Sequence, residues 1–289
     1  YEREASIRLL LVNNTNILFT TERGFTAATD PFTDGDDTTM LNEVVPVMNQ
    51  HVGFDNFNVG HVFAARAGRA GLGVVCGPSK AKGASTMAPP AGDIGRILHF
   101  AHELGHQFNL PHTYNGTGGC ASSRDASNAY ETGSGTTIMS YAGNCSGHNL
   151  ELPTGKEARF HARSIEQINN FVSNGAGAAC PTVTQTGNNP PTVTTPAAFN
   201  IPKNTPFTLT ATANDADAGD NNNLTYTWEQ YDAAGEFSNG PYTDAGDPAN
   251  TTRPIFRPFA PTRNPSRTFP SLKYILENAN DPPDTVPGV

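Results

Sequence analysis

The sequence is short of positive charge. Its 18 Lys and Arg stand against 27 Asp and Glu, for a formal charge of −9 over 289 residues, and no dense basic cluster occurs. That balance argues against a nucleic-acid-binding surface, which needs clustered cations. Long apolar runs are missing as well: none approaches the roughly 18 residues that cross a bilayer as a helix. No C-x-x-C pair is present, which removes the commonest thiolate zinc sites. No repeat of fixed period is visible, so solenoids and propellers are excluded. The opening "YEREASIRLLLVNN" has acidic residues beside a short apolar run, unlike the order of a signal peptide. A soluble chain is expected, with any export signal removed or not included.

What is present is loop-forming. Hydrophobic residues make up 36% and charged residues 16%, with 28 Gly and 23 Pro, which fits a modest core in one large domain or two ordinary ones. The four cysteines, Cys76, Cys120, Cys145 and Cys180, can pair in three ways. An even number without metal-type spacing favours disulfides, with Cys120–Cys145 closing a local loop and Cys76–Cys180 a long one. On loop entropy the long bridge is worth about 4–5 kcal/mol. The alternative is four buried thiols in a cytosolic protein; disulfides instead imply an oxidising, extracellular setting.

Composition changes after Cys180. Residues 181–206 are rich in Thr, Pro and Asn without helical periodicity, and read as a linker. Beyond it "FTLTATA" (207–213) and "LTYTWEQY" (224–231) alternate with period two around a polar turn. They predict a small antiparallel β module over 207–289, an all-β, Ig-like sandwich that is either irregular or cut short, because its tail is Pro-rich and lacks the seven clear strands of a complete one. Residues 1–180 read as an α/β portion. Strands are expected at 6–12, 16–21, 59–65 and 71–76, and helices at 39–52 (with Pro46 kinking it or delaying its start), 93–108 and 157–172. The helix at 93–108 is the clearest, with Asp93 as N-cap and Ile94, Ile97, Leu98, Ala101, Gly105 and Phe108 on one stripe.

That helix ends in "HELGHQFNLPH", residues 102–112. His102 and His106 are one turn apart, about 40° around the axis and about 6 Å along it, so both imidazoles can reach one ion. Glu103, angled away from that pair, suits a general base acting on water. His112 joins only if the chain turns back. Asn109 is second to glycine for the left-handed position that stops a helix, and Pro111 pushes Leu110 into an extended conformation. The strain of a non-glycine residue there is about 1–2 kcal/mol, and less for Asn. His99 reads as a packing or surface histidine. His51, His61 and His148 read as structural, and His161 as a core or surface residue that could stand behind a ligand.

These residues resemble the metzincin zinc endopeptidases, whose signature is H-E-x-x-H-x-x-G-x-x-H followed by a methionine turn. "TTIMSYAG" (136–143) is similar to that turn and puts Met139 in it, as a hydrophobic floor rather than a ligand. "GHVFAARAGRAGLGVVC", "HTYNG", "AYETGSGTTIMSYAG" and "FHARSIEQI" further resemble the reprolysin (adamalysin)-like family, in its secreted bacterial branch. Asn109 departs from the family glycine, and the chain looks as though it begins inside the catalytic domain. The resemblance implies a mixed twisted sheet with an active-site helix and one zinc held by His102, His106 and His112. It also implies a Cys76–Cys180 bridge and an edge strand at "AKGASTM" (81–87) against which an extended peptide would lie. The module after 190 is similar to β-sandwich domains appended to such enzymes.

The implied activity is zinc-dependent hydrolysis of peptide bonds, with Glu103 as base, by a secreted monomer acting on peptide or protein. Tyr141 is an auxiliary candidate for zinc or oxyanion contact. One rival takes Glu131 as third ligand; another is an inactive zinc-stabilised adhesion module of the same fold. Calcium is a further candidate at "DPFTDGDD" (30–37) and "NDADAGD" (214–220), although neither has EF-hand spacing. Residues 140–152, expected to shape the substrate pocket, carry no decisive charge.

Overall fold

Asp36 starts the first long helix by accepting hydrogen bonds from the Thr38 and Thr39 amides at 3.0 and 3.1 Å. This is an N-cap that satisfies two donors the helix leaves over. The computed structural model describes residues 1–26, 28–33, 35–64, 68–86, 92–150, 156–202, 205–217, 219–233 and 254–276, without the side chains of 92–94 and 273–274. The expected cap Asp93, the stripe member Ile94, Ala65, Met87, Glu151, Leu152 and most of the tail beyond 233 therefore lie outside the described residues. The chain sorts into two units, one of Tyr1–Pro111 with Ala158–Thr182 and one of His112–Glu157 with Val183–Val289.

The first unit contains α1 (Glu2–Ala5), α2 (Asp37–His51), β1 (Val62–Ala64), β2 (Gly68–Ala70), β3 (Gly83–Thr86), α3 (Gly92–Gln107) and α4 (Ala162–Asn174). Pro46 sits inside α2 and does not delay its start. Met40, Leu41, Val44 and Met48 of α2 pack with Val52, Phe57, Val62, Ala81 and Ala84 into one apolar cluster. The strands form one sheet in the order β1-β3-β2, with β3 parallel to β1 and antiparallel to β2. β3 is thus the middle strand. The expectation of an edge strand at 81–87 is corrected, because both hydrogen-bonding edges of β3 are taken. Of the two outer strands, β2 is the one packed against α3.

Three strand expectations fail, for identifiable reasons. Among the described residues, 6–12 have no ladder partner; Leu10 and Leu11 are 79% and 101% exposed, so β propensity finds no described neighbour to pair with. Residues 16–21 fall into short 3-10 turns at Thr15–Ile17 and Thr21–Arg23. Residues 71–76 are a turn in which Gly73 and Cys76 have φ of +64° and +65°. Those reversals aim the Gly73 and Val75 amides at the His106 and Gln107 carbonyls, at 2.9 and 3.2 Å. The loop therefore caps the C-terminus of α3, where carbonyls are otherwise orphaned. The Cys76–Cys180 disulfide anchors it. α4 starts later than expected, with the buried His161 as its N-cap accepting from the Arg163 amide.

In the second unit the Cys120–Cys145 disulfide packs with Tyr114 and Tyr141. Further along, β5 (Phe207–Thr210) pairs antiparallel with β7 (Ser266–Phe269), and β4 (Thr192–Thr194) with β6 (Thr212–Asn214). α5 (Leu272–Leu276) follows. "FTLTATA" thus breaks at Ala211 and serves two sheets, while "LTYTWEQY" makes, among the described residues, only the bridge Tyr226↔Thr262. Phe207 stacks on Phe269, and Phe256 meets both edge-on. Among the described residues these strands form two small two-stranded sheets, and β4 lies within the stretch read as a linker.

Candidate metal centre

The C-terminal half of α3 is buried on nearly every side: His102, Glu103, Leu104, Gln107 and Phe108 are all 5% exposed or less. The apolar stripe seen in the sequence is only part of this, since Ile97 is 63% exposed. Polar groups are enclosed here because they have partners. Gln107 donates to the Gly60 carbonyl at 2.8 Å and its Oε1 accepts from His61 Nδ1 at 2.8 Å, while His61 Nε2 meets Ser85 Oγ at 2.8 Å. Burial, opposed by the Gln107 hydrogen bond and aided by His99, pulls His61 down to about 4. His61 is accordingly a neutral strut between α3 and β3.

The helix stops where its residues predict. Asn109 has φ +69°; its amide donates to the His106 carbonyl at 2.8 Å, and the Leu110 amide donates to the Gly105 carbonyl at 3.0 Å. This pair of bonds is a Schellman cap with Asn in the usual glycine place. Asn109→Gly should therefore shift stability by less than about 1 kcal/mol, whereas Asn109→Val should cost about 1–2 kcal/mol. Urea denaturation of the two variants checks this; equal stability would mean that the left-handed turn is not a constraint.

The turn returns His112 to the helix. One ligand atom from each of His102, His106 and His112 lies within 4.8 Å of the others. The three come from one stretch of eleven residues, so the cluster is set by the helix turn and the cap. His106 Nδ1 is 2.7 Å from the Leu110 carbonyl and His112 Nδ1 is 2.6 Å from the Ser123 carbonyl. A carbonyl only accepts, so Nδ1 carries the proton in both rings and Nε2 carries the lone pair, the tautomer a metal ligand needs. Burial pulls His112 down to about 4, with the Ser123 hydrogen bond opposing. Neutral imidazoles of this kind fit zinc, and the group could hold a metal ion.

Glu103 is 5% exposed and adjacent to His102, and its Oε1 is 3.5 Å from His99 Nε2. His99 was expected only to pack or to face solvent; its i,i+4 spacing to Glu103 was the available signal. Met139 is fully buried in a turn, and its carbonyl accepts from the Thr113 amide at 3.2 Å, beside His112. Tyr141 stacks on Tyr114 and meets His112 edge-on, with ring centroids 4.6 Å apart in each case. Glu131 is not in the metal group. Its carboxylate is taken up by Thr113, Thr136 and Thr137. His148 accepts from the Thr117 and Gly118 amides and His51 lies edge-on to Phe19, both structural as expected. The Ser123 and Leu110 carbonyls escaped notice in the sequence, because a backbone oxygen has no residue signature.

Calcium finds less. In 30–37, Asp30 accepts from the Phe32 amide and Asp36 caps α2, while Asp34 lies outside the described residues. Asp215, Asp217 and Asp220 do bring carboxylate oxygens within 4.8 Å of one another. Asp217, however, accepts from Asn189, and Asp215 from the Asp217 amide, as in an ordinary acidic turn.

Residues 1–113, a span that includes all three histidines, match the family model described as metallo-peptidase family M12B, reprolysin-like. No curated protein and no solved structure matches the chain. Over residues 1–113 of its 289 the chain is similar to the reprolysin-like metallopeptidases of family M12B.

Proposed function

We propose that the protein is a secreted zinc endopeptidase in which His102, His106 and His112 hold one zinc ion and Glu103 is the catalytic base. The observation that carries this is the convergence of three imidazoles, two of them with Nδ1 pinned to a carbonyl, beside a buried carboxylate. Bound there, zinc supplies a Lewis acid that lowers the pKa of water to about 7 and polarises a carbonyl. Glu103 takes the proton from the water that attacks the scissile carbonyl and delivers it to the departing amine. The low-dielectric surroundings of Glu103 strengthen its interaction with the charge that develops during attack.

An extended peptide pairs along the outer edge of β2. A Cβ at Gly68 would lie 3.0 Å from His99 Nε2 and 3.9 Å from Glu103 Oε1, so this edge runs beside the base. Met139 is the apolar floor of the centre, and Tyr141 is an auxiliary contact for zinc or the oxyanion. Residues 1–180 form the catalytic portion, 181–206 a linker, and 207–289 a module of sandwich type. The protein acts as a monomer outside the cell, of the secreted bacterial kind, and two disulfides support that setting.

Hydrolysis of an unfolded protein before chelation, after it, and after zinc is restored tests the reading. Activity that vanishes with chelator and returns with zinc is expected. Stoichiometric zinc without cleavage at any stage would favour an inactive zinc-stabilised binding module.

A further inference from the structure

Glu131 is completely buried and lies 19 residues beyond His112 in the chain, and no step above uses it. Its backbone pairs with the strand-like stretch that follows the third histidine. The Glu131 amide donates to the Thr113 carbonyl and the Asn115 amide donates to the Glu131 carbonyl, both at 2.8 Å, around the parallel bridge Tyr114↔Glu131. Its carboxylate then joins two other segments. Oε1 accepts from the Thr113 and Thr137 hydroxyls, each at 2.5 Å; Oε2 accepts from the Thr136 and Thr137 amides at 2.7 and 3.1 Å. Thr113 directly follows His112, and Thr136 and Thr137 open the turn that contains Met139. Gly135, at φ +66°, lets the chain wrap this closely, since a Cβ there would stand 3.1 Å from the Glu131 side chain.

We infer that Glu131 is a positioning residue for the third metal ligand: it clamps Thr113 to the methionine turn and so fixes where His112 stands. The inference rests on the zinc-centre reading. A clamp differs from a ligand or a field effect in what it demands chemically. Oε2 faces amides, which only donate, so that atom must stay an acceptor. Oε1 faces two hydroxyls, which can rotate to accept. Glutamine meets both demands, with its oxygen towards the amides and its NH2 towards the hydroxyls. For these four contacts the reach of the side chain matters and its negative charge does not.

The test is zinc affinity of the full chain, measured by competition with a chromophoric chelator, with circular dichroism as a check on folding. Partners that orient a ligand from behind change affinity by about 10–100-fold. Glu131→Ala should weaken zinc by that factor, and Glu131→Gln should stay within about threefold of the native chain. If Glu131 acts through His112, Glu131→Ala made in a His112→Ala background should cost nothing further, as a double-mutant cycle requires. A purely structural role would weaken both backgrounds alike and overturn the inference. So would Glu131→Ala binding zinc as tightly as the native chain. Should Glu131→Ala fail to fold, Thr113→Val decides, since it deletes one hydroxyl of the clamp; unchanged affinity there overturns the inference. A native chain that binds no zinc removes the zinc centre and the clamp together, and that failure shows in the native protein, not in the variants.

Discussion

Glu103→Gln should lower kcat/KM by about 10²–10⁴-fold, the contribution expected of a positioned general base, while zinc stays bound at native affinity. Glutamine keeps the shape and the hydrogen-bonding oxygen of the side chain but cannot take a proton from water. Glu103 is 5% exposed, so no bulk carboxylate or buffer base easily replaces it. Because proton transfer belongs to the transition state, kcat should carry the loss and KM should hardly move. The histidines are untouched by this change, which separates loss of chemistry from loss of metal. Native-like turnover of an unfolded protein by the zinc-loaded variant would sink the assignment of Glu103. A parallel loss of zinc would mean that Glu103 supports the ligands instead.

Gly83→Ala should destabilise the first unit by about 2–4 kcal/mol, from overpacking together with broken buried hydrogen bonds. An added Cβ would stand 2.3 Å from His61 Nδ1 and 2.4 Å from Gln107 Oε1. Neither side chain can step aside cheaply. His61 is held at its other nitrogen by Ser85, and Gln107 donates to the Gly60 and Lys80 carbonyls. Gln107 also directly follows His106, so the perturbation reaches the metal centre through α3. A fall in Tm of about 10 °C is expected for a unit of this size, and zinc, which stabilises the folded form by binding it, should raise the Tm of the native chain and the variant alike. A shift below about 2 °C would show that the network between β3 and α3 is loosely held.

What could be read without coordinates was local. The helix with His102 and His106, its stop at Asn109 and the return of His112 all depend on contacts within eleven residues, where helical period and turn chemistry act directly. The two disulfides also appear as expected, since the four cysteines left few choices. What was misread depends on neighbours distant in sequence. The apolar run at 71–76 has strand composition, yet it serves as a cap because Gly73 and Cys76 reverse the backbone towards α3. The segment at 81–87 is a strand over Gly83–Thr86, but whether it is central or outermost depends on β1 and β2 pairing with it. Glu131 looked like a rival ligand or a loop acid. Its place follows only when 113, 131 and 136–137 meet, and no spacing rule describes that meeting.

The outer edge of β2 is three residues long and presents backbone, with Gly68 offering no side chain next to Glu103. A peptide that binds there is recognised first through its own amides and carbonyls, so it must arrive with those groups unpaired. Folded domains keep them engaged in their own ladders and helices. If the chain cleaves as proposed, susceptibility should follow how often a stretch of the target comes loose, more than which residues it contains. Frayed termini, exposed loop tips and denatured chains are the material such an edge selects.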